Sequence, residues 1–106
     1  MTQVELFQEL KSIGLPVAYH HFTTPPSLPY IVYLFSYSND LVADNQNYQS
    51  INNFQVELYS DKKDLVSEKL IEDKFKVLKM PYSKLETWID TEKLYQIIYE
   101  IQIIGG

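Results

Sequence analysis

Chemistry in a chain of this size needs converging reactive groups, and few of its residues could converge. The two histidines, His20 and His21, are adjacent. On an extended segment neighbours point to opposite faces, so the pair is not expected to close on one metal ion. They read as surface or edge imidazoles without a task. Asp40 and Asp44 stand among Asn39, Asn45 and Asn47, but the glycine and terminal Glu of a calcium loop are missing. These side chains read as turn-formers and solvated polar groups. Glu57 lies on the face of a well-patterned strand. Its alternation puts it on the more exposed side, where a salt bridge or hydration is expected. General acid–base work would need two carboxylates in a cleft with displaced pKa values.

Glycine occurs only at 14, 105 and 106, which leaves no nucleophile elbow and no phosphate-cradling loop. Cysteine is absent, removing disulfides, thiolate nucleophiles and Cys-ligated zinc. Trp88 and the Tyr-rich strands could stack bases, yet Glu86, Asp90 and Glu92 surround Trp88 where a single-strand binder needs cations. Trp88 reads as core or rim packing. The expectation is a protein that is not an enzyme, with no cofactor and no metal.

The elements that would position any site fit one domain, residues 1–106. An apolar fraction of 45% and a charged fraction of 22% over 106 residues are those of a globular chain with a single core. No apolar run reaches the roughly 18 residues that cross a bilayer, and MTQVELFQEL lacks a basic region ahead of an apolar one. The expected setting is a cytoplasm, or a particle assembled there. Net charge is −5, so no cationic face is offered to duplex phosphates. Nine tyrosines and five phenylalanines suit sheet faces and subunit interfaces alike.

Residues 2–13 read as an amphipathic helix, with Thr2 and Glu5 as a capping box and Val4, Leu6, Phe7, Leu10 and Ile13 as its stripe. Gly14 and Pro16 stop it. Residues 17–22 read as a short strand, followed by a proline-stiffened connection through Pro25, Pro26 and Pro29. Residues 30–38 form a strand apolar on both faces at first. Residues 48–59 alternate, with Phe54, Val56 and Leu58 opposite Gln55, Glu57 and Tyr59. Asp61 is placed to cap a helix over 62–78, with Val66, Leu70, Ile71, Phe75 and Leu78 inside. Glu68, Lys69, Glu72, Asp73 and Lys76 fall outside, with Glu72 and Lys76 in the favourable i,i+4 order. Residues 85–90 and 94–104 complete an α+β fold. It is an antiparallel-dominated sheet of about five strands with two helices on one face. A long polar loop, 39–53, separates the second and third strands, and such an excursion is either functional or disordered.

Four stretches in this order resemble the tail completion proteins of long-tailed bacteriophages and prophages, the tail terminators or tail-to-head joining proteins. They are PSLPYIVY, the acidic-Asn run at Ala43, Asp44 and Asn45, FQVELYSDKKD with Glu68 beyond it, and DTEKLYQIIYEIQII. Together they span nearly the whole chain, the first helix excepted. The resemblance implies six copies in a ring that caps the tail tube and joins it to the head connector. The partners implied are further copies of the chain, the tail tube protein and the connector protein. The location implied is the tail or neck of a virion assembled in the host cytoplasm. DNA would pass through without being gripped, and no membrane is involved. Asp40, Asp44, Asn45, Asn47 and Tyr48 are the candidate interaction loop, projecting toward the lumen or a neighbouring ring. Three alternatives stay open: a head-completion stopper or other neck component, a small ligand- or peptide-binding module using a sheet face near Tyr95, Tyr99 and Trp88, and a small enzyme using Glu57 or His20.

Overall fold

The computed structural model describes residues 1–39, 41–43 and 47–104, with 41–43 and 47–49 described by their backbone alone. In chain order the elements are α1 (Gln3–Lys11), β1 (Val17–Tyr19), β2 (Tyr30–Ser38), β3 (Leu41–Ala43), β4 (Asn47–Gln49), β5 (Ile51–Ser60), α2 (Leu65–Val77), β6 (Ser83–Ile89) and β7 (Leu94–Ile104). Five strands form one sheet in the order β1-β2-β5-β7-β6, and β3 pairs with β4 as a separate two-stranded sheet. Only the short β1–β2 pair of the main sheet is parallel.

Local chemistry sets most of the boundaries. The Thr2 hydroxyl accepts from the Glu5 amide at 3.1 Å, and the Glu5 carboxylate accepts from the Thr2 amide at 2.9 Å. That reciprocal pair opens α1 where the capping box predicts it. After the C-cap Ser12, Gly14 takes φ of 102°, a left-handed value that a side chain would strain. β1 is shorter than predicted because His20 turns to φ of 69° and its amide donates to Tyr33 O at 2.8 Å.

One sheet face carries the core. Ile31 and Tyr33 pair with Leu58 and Val56, while Phe54, Val56 and Leu58 pair with Ile101, Tyr99 and Ile97. All eight are buried on the same side. Both helices lie on that side. Leu6 and Leu10 of α1 and Ile71 and Phe75 of α2 are fully buried against it, with the Phe75 ring edge-on to Tyr99 at 5.5 Å. Val4 is the exception in the α1 stripe, being exposed. Glu9, expected in water, reaches Lys74 of α2 at 3.2 Å.

The second helix differs from its reading in start and in rotation. Its N-cap is Asp64, not Asp61: Asp64 accepts from the Ser67 amide at 3.0 Å and the Ser67 hydroxyl at 2.8 Å. Val66 and Leu70 are exposed, whereas Glu68 is only 2% exposed. The cause is ionic. Lys63 lies 2.8 Å from one Glu68 oxygen and also pairs with Glu86, and Lys84 lies 2.7 Å from the other Glu68 oxygen. These are ion-pair distances without hydrogen-bond alignment at Glu68. Lys84 also meets Glu72 at 2.7 Å, and Glu72 accepts from the Tyr99 hydroxyl at 2.7 Å. Glu72 therefore pairs across to β6, not along the helix to Lys76. The i,i+4 pair on the outer face is Lys69 with Asp73 at 2.8 Å.

Two outcomes follow from this clamp between α2 and the sheet. Replacing both lysines (Lys63→Met with Lys84→Met) leaves the Glu68 carboxyl buried without its cations, and should cost about 3–5 kcal/mol in urea denaturation. Glu68→Gln should cost less, because the lysines keep Glu86 and Glu72 and are partly solvated. Equal losses would contradict the account. In pH, burial works against the Glu72 charge, yet Lys84 and Tyr99 hold its carboxyl below the ordinary 4.5. Glu68 and Glu72 hold Lys84 above its ordinary 10.5, and burial with Glu72 holds Tyr99 above its ordinary 10.0. The carboxylate's contribution is present above 4.5 and lost as pH falls further. Those of Tyr99 and Lys84 are complete below 10.0 and 10.5 and lost as pH rises beyond. Denaturation midpoints should therefore plateau between these limits, and Glu72→Gln should flatten the acid limb.

Candidate interaction surface

The arm β3–β4 leaves the end of the β2–β5 ladder. That ladder runs to Ser38 opposite Asn52 with an irregularity between Phe35 and Tyr37, and the Asn39 amide extends it by donating to Ile51 O at 2.9 Å. The predicted 39–53 loop is thus mostly strand: residues 41–43 and 47–49 form the arm, and 51–53 open β5. Strand propensity was low here, and ladder pairing overrode it. Of the candidate loop residues, Asp40, Asp44 and Asn45 lie outside the described residues. Asn47 and Tyr48 lie on β4, where Asn47 pairs with Ala43 and Tyr48 with Val42.

Asn53 fixes the root of the arm, and no sequence pattern singled it out. It is 1% exposed. Its amide nitrogen donates to Tyr37 O at 3.1 Å and to the Asn39 side-chain oxygen at 2.6 Å, while its own oxygen accepts from the Gln102 amide at 3.1 Å. A buried amide with three partners ties the arm's two entering strands to β7.

The other candidates fall elsewhere. His20 and His21 do not point apart, because His20 is off the strand; their Nδ1 atoms approach to 3.2 Å, both rings exposed. Among the described residues no group of three potential ligands could hold a metal ion. Glu57 is not solvated either. It is 8% exposed on the sheet face opposite the helices and accepts from the Tyr59 hydroxyl at 2.8 Å; that hydroxyl accepts from the Gln96 amide at 2.8 Å. Tyr30 stacks on Tyr59 at 5.3 Å and Phe22 meets Tyr30 at 5.2 Å. Burial and Glu57 push the Tyr59 hydroxyl well above its ordinary value. The reading of Tyr95, Tyr99 and Trp88 as an open face also fails, since Tyr99 is fully buried under α2. Trp88 is a rim residue, 44% exposed, 4.7 Å from the Tyr95 ring.

The exposed margin at β6 and β7 completes the surface. β6 is exposed along almost its whole length, and β7, with eleven residues, outruns the seven of β6. Among the described residues no helix is long and apolar enough to cross a membrane. Asn53→Ala should remove the contacts to Tyr37, Asn39 and Gln102 together, costing about 1–3 kcal/mol, and should speed hydrogen exchange at the Asn39 amide. Unchanged exchange there would show that the arm root is held by other means.

No family model matches the chain, and no curated protein matches it. Among solved structures the fold is similar to that of a chain in the virion of a native gene transfer agent particle, with a TM-score of 0.60 and 11% identity over 94% of this chain and 92% of that one. The likeness establishes a shared fold across almost the full length of both chains.

Proposed function

We propose that the chain is a structural protein of a tailed, phage-like particle that caps the tail tube and joins it to the head connector as a ring, with no bond made or broken. The observation that carries this reading is the near end-to-end fold likeness to a chain of a gene transfer agent virion. The ordered motifs that resemble tail completion proteins support it independently of the fold.

The surfaces are consistent with the role. A closed ring needs two different patches on each protomer, a heterologous contact whose rotation closes. The arm and the exposed strand margins are distinct patches. Net charge of −5 suits a collar through which DNA slides, since a cationic lumen would bind phosphates. The partners in this reading are further copies, a tube protein and a connector protein.

Inactivating the reading frame in the phage or prophage that carries it should leave heads and tails unattached, with tubes of uncontrolled length in electron micrographs. A lysate with its normal yield of joined particles would sink the proposal. Joining lost while tube length stays controlled would move the chain to the head-completion side of the neck.

A further inference from the structure

We propose that the unpaired edge of β7 at Ile101–Ile104 receives the β3–β4 arm of a second copy as an added strand. This rests on the ring reading above and names the contact that would close the ring.

Pairing between β6 and β7 stops at Ser83 opposite Glu100. Continuing that register would set Tyr82 and Pro81 against Ile101 and Gln102, but the chain has turned away by then. The Met80 amide donates back to Phe75 O at 2.8 Å, Lys79 takes φ of 55°, and Pro81 has no amide to offer. The side of β7 facing away from β5 makes no backbone hydrogen bond over Ile101–Ile104 among the described residues. Beside it runs a groove of about 550 Å³, walled by Leu78, Met80 and Tyr82 against Ile101 and Ile103.

The β6 edge and the β7 overhang are not equivalent. β6 carries Lys84 and Glu86 along its length, the charges by which edge strands resist pairing. The overhang of β7 reads Ile-Gln-Ile-Ile, without charge or proline. Such an edge is a template for another strand.

The arm fits that template. Its Leu41-Val42-Ala43 strand is apolar, as the groove is, and among the described residues it pairs on one side only, with β4. Three strand residues meet four unpaired ones. The apolar triplet is flanked in sequence by Asp40 and Asp44, while Lys79 at the groove makes no ion pair among the described residues. Glu100, the acid at the groove, is engaged by the Tyr37 hydroxyl at 3.5 Å. The chain's own arm starts from the β2–β5 ladder, so β7 itself stands between the arm's root and the free edge. The inferred donor is a second copy. Because arm and edge are different patches, each copy can give one and take one, as the head-to-tail contact of a ring requires.

The absence of cysteine makes disulfide trapping clean. A mixture of Val42→Cys and Ile104→Cys proteins, oxidised at concentrations where light scattering reports an oligomer, should give a cross-linked dimer in several-fold excess over Val42→Cys mixed with Leu85→Cys on β6. Ile104 and Leu85 are both exposed, so neither replacement disturbs the core. Ile104→Lys should disperse the oligomer while leaving the circular dichroism spectrum unchanged. Equal trapping at Leu85, or a Val42→Cys/Ile104→Cys double variant that links only within one chain, overturns the inference. Rings that form without the Val42–Ile104 link overturn this contact and leave the ring reading standing. A strict monomer at every concentration removes both.

Discussion

Every backbone amide and carbonyl in a sheet needs a partner, and in this protein the strands that supply partners have unequal lengths. β5 and β7 pair along ten consecutive positions, from Ile51 opposite Ile104 to Ser60 opposite Tyr95. β1 covers three residues of β2, and β6 covers seven of β7. The mismatch creates both surface features of interest. At one margin the β2–β5 ladder runs on through Asn39 into a detached hairpin. At the other, β7 is left with a bare edge.

The helical layer is held by a second constraint, the cost of an unpaired charge out of water. Glu68 faces inward, and this is tolerated because Lys63 and Lys84 reach it from the loop before α2 and from β6. With those contacts in place, α2 begins at Leu65 under the Asp64 cap and leaves Val66 and Leu70 exposed. An all-apolar contact could hold the helix as firmly. The ion network adds a fixed rotation and a fixed position for the short β6, which apolar packing alone specifies less sharply.

On the opposite face, the Glu57–Tyr59–Gln96 chain satisfies its buried groups among themselves. Burial and pairing explain Glu57 without chemistry. Asn53 does similar work at the arm root, where a polar side chain in a buried position is matched by three partners. Both networks lie away from the helices, so this sheet face is shaped by tyrosine rings and amides instead of an aliphatic core.

Local pattern alone was enough for the capping box at Thr2 and Glu5, for the bounds of β2 and β7, and for the alternation that buries Phe54, Val56 and Leu58. Each depends on residues within a few positions of one another, where periodicity and capping chemistry act. It was enough, too, for an α+β sheet with both helices on one side. Tertiary structure decided the rest. Glu68 reads as a solvent-facing residue until Lys84, sixteen positions on, is brought against it. Glu57 reads as hydrated until Tyr59 and Gln96 close over it, and His20 and His21 read as divergent until a positive φ turns the chain. Asn53 looks like part of a polar loop, and nothing in DTEKLYQIIYEIQII reveals that its last four residues lack a neighbour. A sequence encodes which face of a strand is apolar, but how far its neighbour extends depends on where another segment, distant in the chain, turns away.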